Sequence, residues 1–109
     1  MDDSQTPNAK RDLHIVLREG FRGHTIVIVV DGREVYRRSG VTTDVQTSHA
    51  DTIDVAAVSR RPRIAVSVTP GDLVASLDLD VGTYRHLAIS LVGEGTVSFE
   101  TSAHRFRRR

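Results

Sequence analysis

From residue 13 onward, apolar and polar side chains alternate. Leu13, Ile15 and Leu17 are interleaved with His14 and Arg18. Ile26, Ile28 and Val30 form a second row, with Val27 and Val29 on the opposite parity. A period of two is the signature of a β-strand with one face turned to a core. A strand apolar on both parities is expected to lie centrally and to be covered on both sides. The pattern predicts strands over 13–18, 24–30, 33–38, 41–47, 53–58, 63–68, 73–79, 86–92 and 96–101. No stretch carries a helical period.

Turn residues fix the expected pairings. Asp31-Gly32 between two such runs predicts a type I′ hairpin, because both central residues must take positive φ. It would set Val30 opposite Arg33, Ile28 opposite Val35 and Val27 opposite Tyr36. A loop at Ser59-Arg60-Arg61-Pro62 would pair Ala57 with Ile64, Val55 with Val66 and Ile53 with Val68. A loop at Thr69-Pro70-Gly71-Asp72, with Pro-Gly suited to a type II turn, would pair Val68 with Leu73, Val66 with Ala75, Ile64 with Leu77 and Arg63 with Asp78. A three-residue loop at Gly93-Glu94-Gly95 would set Leu91 opposite Val97 and Ile89 opposite Phe99. In each case a slip of one residue would turn apolar side chains to the wrong face. Many short strands separated by frequent turn signals indicate an all-β fold: a small antiparallel β-sandwich of eight or nine short strands, with a barrel as the alternative.

The chain of 109 residues suits one domain. Residues 1–11 are polar and aperiodic and read as a flexible arm. Residues 12–102 form the sandwich domain, and residues 103–109 a basic tail. There is no cysteine, which removes disulfide scaffolds and thiolate chemistry. The acidic start Met1-Asp2-Asp3 lacks the basic and apolar regions of a signal peptide, and no apolar run is long enough to span a bilayer. The chain is therefore expected to be cytoplasmic. Its net charge is +1, yet Arg105, Arg107, Arg108 and Arg109 sit within the last few residues. Without them the chain would be net negative.

Candidate chemistry is sparse. His14 and His86 fall on the polar parity of their strands, His24 starts a strand, His49 lies in a loop and His104 in the tail. None has the spacing of a zinc site. Asp78 and Asp80 share one side of a strand end, where Asp72 or Asp51 could join them around calcium, but Arg63 is the simpler partner. Ser48-His49-Ala50-Asp51 has the composition of a turn and lacks the elbow of a serine hydrolase. The glycine pairs Gly20/Gly23 and Gly93/Gly95 are not followed by the helix that a phosphate-binding loop needs. No catalytic set, metal or cofactor is assigned, and the chain is read as a non-enzyme.

Two expectations about function remain. The first is a non-catalytic interaction module that binds a protein partner or a second copy of itself, possible contacts being Phe21, Arg22 and Phe106. The alternative is binding of nucleic acid or another polyanion through Arg60, Arg61 and Arg63 at a hairpin tip and through Arg105, Arg107, Arg108 and Arg109.

Overall fold

A computed structural model of the chain describes residues 11–93 and 95–106. They form eight strands: β1 (Arg11–Leu17), β2 (Arg22–Val30), β3 (Arg33–Thr42), β4 (Asp51–Val58), β5 (Arg63–Thr69), β6 (Leu73–Asp78), β7 (His86–Val92) and β8 (Thr96–Ser102). They make two four-stranded sheets, ordered β4-β1-β7-β8 and β3-β2-β5-β6. The fold is thus an all-β sandwich and not a closed barrel. None of its elements is a helix that could cross a membrane.

The alternating rows supply the core. Leu13, Ile15, Leu17, Ile53, Val55, Leu87 and Ile89 point inward from one sheet, and Ile26, Ile28, Val30, Ile64, Val66 and Val68 from the other. Burying each such side chain is worth about 1.5–3 kcal/mol. Phe21, Val41, Val58, Leu79 and Val81 complete the cluster.

Two of the expected hairpins hold throughout. β5 and β6 pair Val68 with Leu73, Val66 with Ala75, Ile64 with Leu77 and Arg63 with Asp78. β7 and β8 pair Leu91 with Val97 and Ile89 with Phe99. In the β5–β6 loop Gly71 has positive φ as a type II turn needs, but Asp72 has positive φ too, so the loop is not a simple type II turn; its Thr69–Pro70 peptide is cis. The Asp31-Gly32 turn forms with φ of 51° and 81° and pairs Val30 with Arg33. Beyond it a bulge intervenes, so Ile28 faces Tyr36 and Val27 faces Arg37. The extra residue goes to β3, an edge strand, where an unpaired backbone group can still reach water.

The fold departs from expectation elsewhere. Residues 59–62 do not close a hairpin. They carry the chain from β4 in one sheet to β5 in the other, so Ile53 and Val55 share the core with Ile64, Val66 and Val68 without pairing with them. Core parity is the same whether two strands are paired or stacked, which is why the rows alone mislead. The strand expected over 41–47 is absent: β3 runs on to Thr42, and the Asp44 carboxylate then accepts hydrogen bonds from the N–H groups of Gln46 (2.8 Å) and Thr47 (3.4 Å). That capture of the backbone makes a turn, closed by a bridge between Asp44 and His49. β2 is central, but its second face is not covered, since Val27 and Val29 are half-exposed. Finally, β1 and β7 pair in parallel, His14 beside His86 and Val16 beside Ala88. Parallel neighbours need a long crossover, here the whole chain from β2 to β6.

The sandwich begins at Arg11, one residue earlier than expected. The rest of the expected arm, residues 1–10, lies outside the described residues, as do Arg107, Arg108 and Arg109 of the tail.

Candidate functional site

Because Leu13, Ile15 and Leu17 point inward, His14 and Val16 point out of the sandwich. The register of the sheet then lays two rows across its outer face. One runs Asp54, His14, His86, Ser102; the other runs Thr52, Val16, Ala88, Glu100. Above them is an open groove of about 870 Å³ lined by His14, Val16, Arg18, Thr52, Asp54 and His86, with walls from Thr47, Ser48 and His49 and from Arg105 and Phe106.

The first wall is anchored by the backbone. The Ala50 N–H donates to the Leu17 carbonyl at 2.7 Å and the Thr43 N–H to the Phe21 carbonyl at 2.9 Å. The Thr43 hydroxyl donates to the Arg18 carbonyl at 2.6 Å. Ser48, within this wall, has a left-handed φ of 54°, and His49 Nε2 lies 2.7 Å from the Thr52 hydroxyl. The second wall is the chain after β8, whose Phe106 ring lies 5.7 Å from the Arg18 guanidinium. That is the range of a cation–π contact. Arg18 also reaches Glu100 at 3.9 Å.

At the floor, His14 Nδ1 is 2.7 Å from Asp54 Oδ1. An ionised carboxylate only accepts, so this contact places a proton on Nδ1. The His14 ring stacks on His86 with centroids 4.9 Å apart and planes 22° apart. The His86 ring has no hydrogen-bond partner among the described residues. Its pKa is held below the usual imidazole value, first by burial and then by the positive charges of His14, Arg105, His104 and Arg85.

No family model, curated protein or solved structure matches the chain. The site must therefore be read from its own chemistry. Asp54 and His14 form a carboxylate–imidazole pair, but no hydroxyl among the described residues hydrogen-bonds the free His14 nitrogen. What the groove offers is a shaped surface with apolar Val16 and Phe106, flanked by more cationic groups than anionic ones.

The arginines singled out by sequence are placed differently from one another. Arg63 holds Asp78 through two hydrogen bonds of 2.9 and 3.1 Å, and Arg61 lies 3.8 Å from Asp80. Asp80 itself accepts from the Gly82 N–H and the Thr83 hydroxyl. Arg60 is exposed, and its carbonyl accepts from the Val81 N–H. Arg105 lines the groove. Of the expected contact residues, Phe106 lines the groove and Arg22 is exposed near a smaller hollow of about 500 Å³. Phe21 is corrected to a core residue, only 1% exposed, because the loop before β2 folds its ring under the sheets.

The Ser48-His49-Ala50-Asp51 cluster splits as its composition suggests, with one difference. Ser48 and His49 belong to the turn, while Asp51 starts β4 and closes an edge of the sandwich. It accepts from the Tyr36 hydroxyl at 2.7 Å and from Arg38 at 2.9 Å. Burial and the Asp51 carboxylate push the Tyr36 pKa up to about 12. Burial alone would raise the Asp51 pKa, but hydrogen bonds from Tyr36, its neighbour Thr52 and Arg38 hold it below the usual carboxylate value.

Sequence reasoning missed the grouping of His14, His86 and Asp54. The polar parity of both histidines was legible. Their adjacency was not, because it depends on the parallel pairing of β1 with β7.

Proposed function

We propose that this chain is a non-catalytic binding module whose groove on the outer face of β4-β1-β7-β8 receives an acidic segment of a protein partner. The groove itself carries the reading. Its volume of about 870 Å³ lies within the range of ligand sites, roughly 300–1,000 Å³. It joins apolar Val16 and Phe106 to a cationic rim, the chemistry that suits an extended segment with both apolar and acidic side chains. Pairing of two copies through the edges β3 and β4 is less favoured. Edge strand β3 is interrupted by bulges, and edge strand β4 by a register shift against β1 and a left-handed Ala57 at φ 61°. Such irregularities blunt edge pairing.

The test is capture from nuclease-treated lysate by wild-type protein, by Val16→Glu in the groove and by Ser67→Glu on the opposite sheet. A protein retained by wild type and Ser67→Glu but lost with Val16→Glu supports the reading. Capture untouched by Val16→Glu removes it.

One observation favours polyanion binding as a second reading. Strand directions bring the 59–62 loop, the 79–85 loop and the chain after β8 to the same end of the sandwich, so Arg60, Arg61, Arg85 and Arg105 share that end. Recovery of nucleic acid in place of protein, abolished by nuclease, would decide for it.

A further inference from the structure

We infer that the basic corner of the groove, built from His14, His86 and Arg105 with Arg85 next to it in the chain, binds a phosphate monoester group. The inference rests on the groove being a binding site and adds the chemistry recognised at one end of it.

Three observations converge. The first is an excess of donors without acceptors. His14 and His86 are neighbours on β1 and β7, Arg85 precedes β7, and Arg105 lines the same groove. Neither Arg85 nor Arg105 has a carboxylate partner among the described residues; Arg22, Arg33 and Arg60 share that lack, but of these five only Arg105 lines the groove. The second is the orientation of the rings. Stacked side by side at 4.9 Å, they rise from the same face of the sheet. His14 Nδ1 is engaged by Asp54, which fixes its tautomer, and the half-buried His86 ring has no hydrogen-bond partner among the described residues. The third is electrostatic. His86 lies in a positive field from four neighbours, His14, Arg105, His104 and Arg85.

The acids around His86 do not offset that field. On β4, Asp54 is held by His14. On β8, Ser102 sits beside His86, and Glu100, the next acid along the strand, is directed to Arg18. On β1, Asp12 lies beyond His14 and is exposed. The segment before β7 contributes Tyr84 and Arg85, and the chain after β8 contributes His104 and Arg105.

A carboxylate brings one charge and two oxygens, which a single arginine satisfies. A phosphate monoester brings about −1.5 to −2 at neutral pH and three acceptor oxygens, which better matches the Arg105 guanidinium and two imidazoles, with the charge of Arg85 close by. Planar guanidinium groups suit its oxygens bidentately. Its arrival would offset the field at His86, so the complex should take up a proton on that ring.

The full chain is titrated at low ionic strength with phenyl phosphate, inorganic sulfate and acetate, and the histidine ring resonances are followed. Saturable shifts of His14 and His86 are expected with phenyl phosphate and sulfate, with His86 titrating at higher pH in the saturated protein. Sulfate keeps its charge throughout, so it isolates the protein's own protonation. A rise of about one unit in the His86 pKa would make sulfate about tenfold tighter in acid than in mild base. Arg105→Ala and Arg85→Ala should each weaken binding several-fold, and His86→Gln should remove most of the pH dependence while leaving binding measurable. These residues lie on the surface, and retained shift dispersion confirms folding.

Acetate binding as tightly as phenyl phosphate would overturn the proposal. So would shifts as large at His24, on the other sheet, as at His86, or unchanged affinity in both arginine variants. Anion binding combined with capture insensitive to Val16→Glu would leave this site standing and remove the partner reading. Groove-dependent capture without anion binding would do the reverse.

Discussion

The ring of His14 lies against that of His86, 4.9 Å away, because β1 and β7 pair these positions directly in parallel. Two residues far apart in the chain thereby become one chemical group on the outer face of a sheet. The core row of Leu13, Ile15 and Leu17 dictates that His14 faces out, and the register with β7 dictates what it meets.

That arrangement sets a pH dependence. The folded state holds the His86 pKa below the unfolded value of 6.5, through burial first and the surrounding positive charges second. Between the two values the unfolded chain binds more protons, so stability rises with pH through this window. The penalty is fully present below the folded pKa and absent above the unfolded one. Denaturant melts should show wild type losing stability as pH falls below about 6.5, and His86→Gln should lose less over the same range. An unchanged pH profile in the variant would show that the imidazole carries no penalty.

The Tyr36–Asp51–Arg38 cluster favours a charged group where the His86 site penalises one, yet its stability also falls as pH falls. The folded pKa of Asp51 is depressed by hydrogen bonds that outweigh its burial, so its stabilisation is present above the ordinary carboxylate range and is lost as pH falls through the folded value. Tyr36→Phe removes a hydrogen bond to a charged group at a partly exposed edge and should cost about 1 kcal/mol at neutral pH. Added to Arg38→Ala, it should give less than the sum of the two single costs, since both side chains share one Asp51 oxygen. Strict additivity in a double-mutant cycle would deny the coupling.

The backbone gives a sharper contrast between two glycines. Gly32 sits in the hairpin turn at φ 81° with open space where a Cβ would go. Gly20 has φ 91°, and a Cβ there would run into the carbonyl of Leu91. Gly32→Ala should therefore cost about 1 kcal/mol, the conformational term alone. Gly20→Ala adds a clash with backbone that cannot swing aside, and should cost at least about 3 kcal/mol. Comparable melting midpoints for the two variants would contradict this.

Local pairings were legible in the sequence and distant ones were not. Leu91 opposite Val97 follows from loop length and parity alone, as does Arg63 opposite Asp78, because each hairpin is a local event. Which sheet β4 joins is decided elsewhere. Ile53 and Val55 satisfy the same core whether they pair with β5 or with β1, so alternation cannot distinguish these choices. The same degeneracy hid the groove, which needs β4, β1, β7 and β8 in that order. Phe21 misled for a different reason: flanked by Gly20 and Arg22 it reads as a loop tip, yet its loop folds inward and is pinned by hydrogen bonds between Phe21 and Thr43.

The chain after β8 separates the functional readings. The last strand ends at Ser102, so deleting residues 103–109 should leave the sandwich folded. It removes the Phe106 contact over Arg18, a term of about 0.5–1 kcal/mol, and a modest fall in stability is expected. It also removes Arg105, Arg107, Arg108 and Arg109. If these engage a polyanion, binding should weaken steeply with salt through counterion release, and four phosphate contacts would give a log–log slope of about −3 to −4. The deletion would then flatten that slope. Phe106→Ala separates charge from cover, since it opens one wall of the groove and leaves every arginine in place. A groove that recognises a protein segment should respond to Phe106→Ala with altered capture and little change in salt dependence. A surface that recognises polyanions should respond to the deletion and ignore Phe106→Ala. Identical binding by wild type and both variants would show that neither the ring nor the arginines take part, and the binding surface would then have to lie away from this wall of the groove.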